Sequence, residues 1–95
     1  MRITYHAVFQ YDNDGICIHF PAVPQAISCA SSFDEGVYMA SDVLGLVLHK
    51  TPVSELPTEE PDQIHLEKNQ QLVPITIELE DRDGILYCDG VIEFE

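Results

Sequence analysis

The sequence predicts an α+β fold, in which an antiparallel three-stranded sheet, one amphipathic helix and a further strand follow in the order β-β-β-α-β. Two segments of alternating apolar residues predict the strands, and helical spacing between them predicts the helix. A chain of 95 residues suits one compact domain. We therefore expect residues 1–95 to form a single domain, with a β-β-β-α part at 3–50, an acidic proline-containing loop at 51–71 and a C-terminal strand region at 72–95.

The first predicted element is a β-hairpin. Residues 3–11 alternate between two sides of a strand, Asp12-Asn13-Asp14-Gly15 supplies residues that suit a turn, and residues 16–20 resume the alternation. We expect Ile3, Tyr5, Ala7, Phe9 and Tyr11 on one side of the first strand, and Thr4, His6, Val8 and Gln10 on the other.

The segment after the hairpin contains two prolines. Proline cannot donate a ladder hydrogen bond, so Pro21-Ala22-Val23-Pro24 predicts a rigid crossing between strands. A third short strand is expected from Ala26 to Ala30.

A capping-box pattern, Ser32-Phe33-Asp34-Glu35, predicts the start of the helix. The apolar residues that follow recur at three- and four-residue spacing and end near Lys50, a cation that suits the C-terminal end of the helix dipole. The residues at this spacing are Phe33, Val37, Ala40, Leu44, Val47 and Leu48. Gly45 is expected to permit close approach of a neighbouring element, which would offset its low helix propensity.

Residues 51–71 have little periodicity, three prolines and many acidic residues. A loop of this length is unusual in a compact domain, which favours a functional role or mobility. Residues 72–80 then alternate as a strand, and Pro74 suggests an edge strand or a strand start. The inward residues are expected to be Val73, Ile75, Ile77 and Leu79. Asp83-Gly84 and Asp89-Gly90 punctuate two further short segments, 85–88 and 91–94, that could add strands at the C-terminus.

Charge is the strongest compositional signal, with a net of −13 from 17 acidic and 4 basic residues. Residues 51–95 hold twelve acids against two bases, a net of −10, and residues 1–50 hold five against two, a net of −3. This balance argues against direct nucleic-acid binding, because neutralising phosphates requires clustered Lys and Arg. It favours a basic protein as partner, although acidity that only maintains solubility is the alternative.

Neither a membrane span nor export is indicated. The longest apolar stretch, Val43 to Leu48, is too short to cross a bilayer, and the N-terminus has no signal-peptide pattern. The chain has three cysteines, an odd number without a CxxC pair, which favours reduced thiols in the cytoplasm. A weaker alternative places Cys17, His19 and Cys29 around a metal ion.

Catalysis is not expected, and neither is a cofactor. A ribonuclease H site requires carboxylates that converge on two metal ions, and the first predicted strand contains no acid before its turn. The sequence also lacks a GxSxG elbow, and its four histidines are scattered.

Several segments in order suggest a family. They are Tyr5-His6-Ala7-Val8-Phe9, Asp14-Gly15, Phe20-Pro21-Ala22-Val23-Pro24, Phe33-Asp34-Glu35-Gly36-Val37-Tyr38-Met39-Ala40, Asp42-Val43-Leu44-Gly45-Leu46, Glu55-Leu56-Pro57 and Val73-Pro74-Ile75. Over residues 3–80 this series resembles the N-terminal domain of HicB-type antitoxins of type II toxin-antitoxin systems. The chain departs from the family pattern at Gln25 and Gly36, where glycine and alanine are usual.

The resemblance implies a partial ribonuclease-H-like fold that binds a small basic mRNA-cleaving toxin of the HicA type. Many members also oligomerise and bind operator DNA through a C-terminal segment. After residue 80 this chain is short and acidic, so DNA binding is not implied for it. An orphan homo-oligomeric module without a toxin is the alternative.

Two sets of site residues follow from charge and pattern. The residues expected to contact a basic partner are Asp12, Asp14, Glu55, Glu59, Glu60 and Asp62. A single helix covers one face of a sheet, so the other face is expected to be exposed and available for self-association into a dimer or tetramer. Its residues include Val8, Cys17 and His19.

Overall fold

The computed structural model describes residues 1–90 and confirms the α+β fold class. Its strands are β1 (Arg2–Asp12), β2 (Gly15–Phe20), β3 (Val23–Ala30), β4 (Gln70–Glu78), β5 (Glu80–Arg82) and β6 (Ile85–Tyr87), and its helix is α1 (Phe33–Leu48). Strands β1 to β4 form an antiparallel sheet in the order β3-β2-β1-β4, and β5 and β6 form a separate hairpin. The segment predicted as a strand at 91–94 lies outside the described residues.

One face of the sheet, here called the helix face, carries the hydrophobic core beneath α1. The alternation of β1 and β2 places their large apolar residues on this face, as the sequence predicts. The fully buried large side chains are Phe9, Phe20, Ile18, Leu44, Ile75, Leu86 and Val23. The helix and the sheet therefore share one apolar interior.

Helix α1 begins where the capping pattern predicts. The Glu35 N–H donates to the Ser32 hydroxyl oxygen at 3.2 Å, and the Glu35 carboxylate accepts from the Ser31 N–H at 2.9 Å, one residue earlier than in a standard capping box. Two helix glycines allow close packing: a Cβ at Gly36 would lie 2.7 Å from the Phe9 ring, and one at Gly45 would lie 2.7 Å from the Cys88 sulfur. The close approach expected at Gly45 is confirmed.

The prediction for the crossing before β3 is wrong. The connection is only Pro21-Ala22, and β3 begins at Val23 rather than near Ala26. Pro24 lies inside β3, which is an edge strand, and an edge strand tolerates proline because one of its sides has no neighbouring strand. Strand β4 is the opposite edge, which agrees with the interpretation of Pro74.

The β5–β6 hairpin closes the helix-face core. Asp83 and Gly84 have positive φ values of 52° and 84° at its tight turn, a conformation that asparagine, aspartate and glycine adopt most readily. The hairpin is tied to the end of α1 by the Leu86 N–H, which donates to the Thr51 carbonyl at 2.9 Å, and by the Lys50 N–H, which donates to the Leu86 carbonyl at 2.6 Å. The Leu86 side chain packs in the core cluster and has no exposed surface.

The opposite face of the sheet, here called the outer face, is not bare. The segment after α1 runs through two short 3-10 turns, Val53–Glu55 and Pro61–Gln63, before it enters β4. Between these turns it is hydrogen-bonded to β1 at Tyr5 and His6. This segment covers part of the outer face, so Val8 is only 2% exposed and the expectation of an exposed Val8 is wrong.

Candidate binding cleft

The covering segment is anchored by the carboxylate of Glu59. One oxygen accepts from the backbone N–H of His6 at 2.5 Å, and the other pairs with His6 Nδ1 at 2.5 Å. The side chain of Glu59 is only 12% exposed. Charge-assisted bonds of this kind are stronger than neutral ones, so Glu59 fixes the acidic segment to the sheet.

The strand register explains why His6 offers its N–H. The Tyr11 N–H donates to the Asn69 carbonyl at 2.8 Å, so odd-numbered β1 residues direct their N–H groups toward β4 and even-numbered ones toward β2. Strand β2 ends at Phe20, and its pairing with β1 stops at Val8. The Glu59 carboxylate therefore satisfies a ladder donor that β2 does not reach.

Tyr5 provides a second anchor beside the first. Its hydroxyl donates to the Pro57 carbonyl at 2.6 Å. Desolvation raises the pKa of the Tyr5 hydroxyl, and the nearby negative charge of Glu59 raises it further. The phenol therefore stays protonated and able to donate at neutral pH.

Between the anchored segment and the sheet lies a cleft of about 640 Å³, here called the outer-face cleft. Its lining residues are Val8, His19, Pro21, Ala22, Thr58, Glu59, Glu60, Gln63, Ile64, His65, Glu67 and Gln70. Val8, Ala22 and Ile64 supply apolar surface, and the carboxylates of Glu60 and Glu67 are exposed. Apolar walls beside exposed carboxylates suit the side chain of lysine or arginine, which has an aliphatic stem and a cationic head.

The structure separates the six acids predicted to contact a partner. Glu59 and Glu60 line the outer-face cleft, but the Glu59 carboxylate is already hydrogen-bonded to His6. Asp12, the last residue of β1, and Asp14, in the β1–β2 turn, are both exposed, and Asp12 accepts from Gln10 and Asn69. Glu55 and Asp62 are exposed on the two 3-10 turns and do not line the cleft.

Part of this cleft is not predicted by the sequence pattern. Glu67, His65, Gln63 and Gln70 line it, and none of them was singled out. The segment has no periodicity that would place these side chains on a common face. The sequence does contain one feature that indicates an ordered segment here: the prolines at 57 and 61 restrict the backbone around Glu59.

Cys17 and His19 are exposed on the outer face, as expected, and Cys17 lies directly opposite Cys29 of β3. Ile27, opposite His19, is 67% exposed. Across residues 1–90 we find no group of three or more His, Cys, Asp or Glu side chains arranged to hold a metal ion. The trio of Cys17, His19 and Cys29 is thus not assembled as a metal site in the described chain.

Comparison with known proteins adds no family assignment. Neither a scan against protein-family models nor a search of curated proteins finds a match to this chain. Within the described residues, no helix has the length and apolar character needed to cross a membrane.

Proposed function

We propose that this chain is a non-catalytic, cytoplasmic binding protein of the HicB antitoxin type, which captures a small basic toxin of the HicA type. The observation that supports it most is the outer-face cleft, where an acidic segment held on the sheet by Glu59 presents Glu60 and Glu67 beside apolar surface. Such a surface is complementary in charge to a cationic protein.

The net charge of −13 would act before contact is made. Long-range attraction raises the association rate of a basic partner and falls with added salt. Burial of a few apolar or aromatic anchors sets the lifetime of a complex. In this proposal Ala22 and Ile64, which are half-buried in the cleft wall, supply that apolar contact on the side of the antitoxin.

As a binding protein, the chain would perform no reaction of its own. Several of its carboxylates already have structural partners: Glu35 caps α1, Glu59 binds His6, and Glu80 pairs with Arg82 at 2.9 Å. Carboxylates used in this way support a scaffold for binding.

The test is titration calorimetry of the purified chain with the small basic protein encoded beside it. A double variant, Glu60→Gln with Glu67→Gln, removes two cleft charges, and Asp42→Asn with Asp89→Asn removes two exposed charges that do not line the cleft. We expect the cleft variant to weaken binding about tenfold and the control variant to change it little. Absence of a complex, or equal losses in both variants, would overturn the proposal.

A second candidate is an orphan homo-oligomeric module without a toxin. It is favoured by the apolar side chain of Ile27, 67% exposed on an edge strand beside His19 and Cys17. It predicts a dimer or tetramer in light scattering, which the substitution Ile27→Lys converts to a monomer. A wild-type chain that is already monomeric at high concentration contradicts it.

A further inference from the structure

Two exposed cysteines face each other across the β2–β3 pair. The strand register places Cys17 directly opposite Cys29, and both side chains belong to the outer face. Both residues also line a shallow cleft of about 310 Å³ at the edge of the sheet, so small molecules can reach them. The third cysteine, Cys88, is half-buried against Gly45 of α1.

The pairing type brings these two side chains close. Even-numbered β1 residues direct their N–H groups toward β2, so Gln10 and Cys17 form a hydrogen-bonded pair. Cys17 therefore uses its backbone groups toward β1, and its pair with Cys29 is of the non-hydrogen-bonded kind. In such pairs the Cα atoms lie about 4.5 Å apart, within the range of about 4.4–6.8 Å that a disulfide spans.

We infer that Cys17 and Cys29 form a reversible disulfide across the β2–β3 pair when the protein meets a low-molecular-weight disulfide such as oxidised glutathione. One cysteine thiolate attacks a sulfur of the oxidant, which forms a mixed disulfide and releases one glutathione. The second thiolate attacks the protein sulfur of the mixed disulfide and releases the other glutathione. Two protein thiols lose two electrons and two protons, and one disulfide is reduced to two thiols.

Disulfide formation between Cys17 and Cys29 depends on the short distance between the two side chains and not on a thiol of lowered pKa. Desolvation raises the pKa of the Cys17 thiol, as do the charges of Asp12 and Asp14. The Cys17 sulfur lies 3.8 Å from a carboxylate oxygen of Asp12, so bond formation needs a rotation of this exposed side chain toward β3. The first attack is therefore expected to be slow, and the second, intramolecular attack to be fast.

The experiment incubates the full chain with oxidised glutathione, blocks the remaining thiols and maps peptides by mass spectrometry. We expect a monomer that has lost two hydrogens, a crosslinked pair of peptides containing Cys17 and Cys29, and recovery of both thiols after reduction. The Cys88→Ser variant should form the same link. The Cys29→Ser variant should instead retain glutathione on Cys17.

Stable glutathione on both Cys17 and Cys29 of the same molecule, with no link between them, would overturn the inference. So would links found only between molecules, in covalent dimers on a non-reducing gel. Circular dichroism of each cysteine variant verifies that it is folded before oxidation. The readout involves no toxin, so it is independent of the binding function proposed above.

Discussion

The two faces of the sheet are covered in different ways. On the helix face, α1 and the β5–β6 hairpin bury a continuous apolar cluster that includes Phe9, Leu44 and Leu86. The acidic segment is held by the Tyr5 hydroxyl, whose side chain belongs to the helix-face core, and by the Glu59 carboxylate, and it leaves a cleft on the outer face. The helix face buries the largest apolar side chains, and the outer face can present charge because it does not have to form the core.

The largest effect is expected on the helix face. Leu44 has no exposed surface, so Leu44→Ala should leave a cavity and lower the free energy of unfolding by about 2–5 kcal/mol. Urea denaturation measures the change, and Leu46→Ala on the exposed side of the same helix is the control. A loss below about 1 kcal/mol at Leu44 would show that the helix is not seated on the sheet as described.

A smaller effect is expected at the anchor of the outer face. Glu59→Gln removes the charge that binds the His6 N–H and imidazole and should cost about 1–3 kcal/mol. Limited proteolysis should then cut faster between residues 57 and 67, because that segment is less firmly held. The matched control, Glu60→Gln, changes an exposed carboxylate and should stay within about 0.5 kcal/mol of wild type. Equal behaviour of the two variants would argue against an anchor at Glu59.

The smallest effect concerns the Tyr5 hydroxyl. Tyr5→Phe removes one hydrogen bond to Pro57 and should cost about 1 kcal/mol at neutral pH. The pKa of Tyr5 is raised above its ordinary value of 10.0 by desolvation and by Glu59. The neutral phenol is therefore favoured in the folded state, and its contribution is complete below that ordinary value and is lost as the pH rises through the higher folded value.

Denaturation curves collected from about pH 8 to about pH 11 check this sign. Wild-type stability should fall more steeply than that of Tyr5→Phe at the alkaline end, because the variant lacks the ionising group. Identical slopes for the two proteins would mean that Tyr5 is not desolvated beside Glu59.

The difference between the helix face and the outer face also explains which parts of the structure the sequence could predict. Alternation and capping are local signals, so β1, β2, the start of α1 and the inward residues Val73 and Ile75 follow from the pattern. The length of β3 was underestimated, because Pro24 was interpreted as a break although an edge strand accommodates it.

The candidate site was harder to predict because its key contact joins distant parts of the chain. His6 and Glu59 are separated by 53 positions, and no periodicity marks the pairing. Alternation correctly put Val8 on the side opposite the helix, but it carries no information on whether a loop covers that side. Acid content identified the segment containing Glu60, while the cleft residues His65 and Glu67 required the folded geometry.

Amide chemical-shift mapping of the labelled chain, titrated with the neighbouring basic protein, tests the central claim most directly. The account predicts that the perturbed amides cluster at residues 58–67 and at His19, around the outer-face cleft, and that the shifts fade as salt is added. Perturbations confined to the exposed side of α1, or an unchanged spectrum at saturating partner, would contradict it.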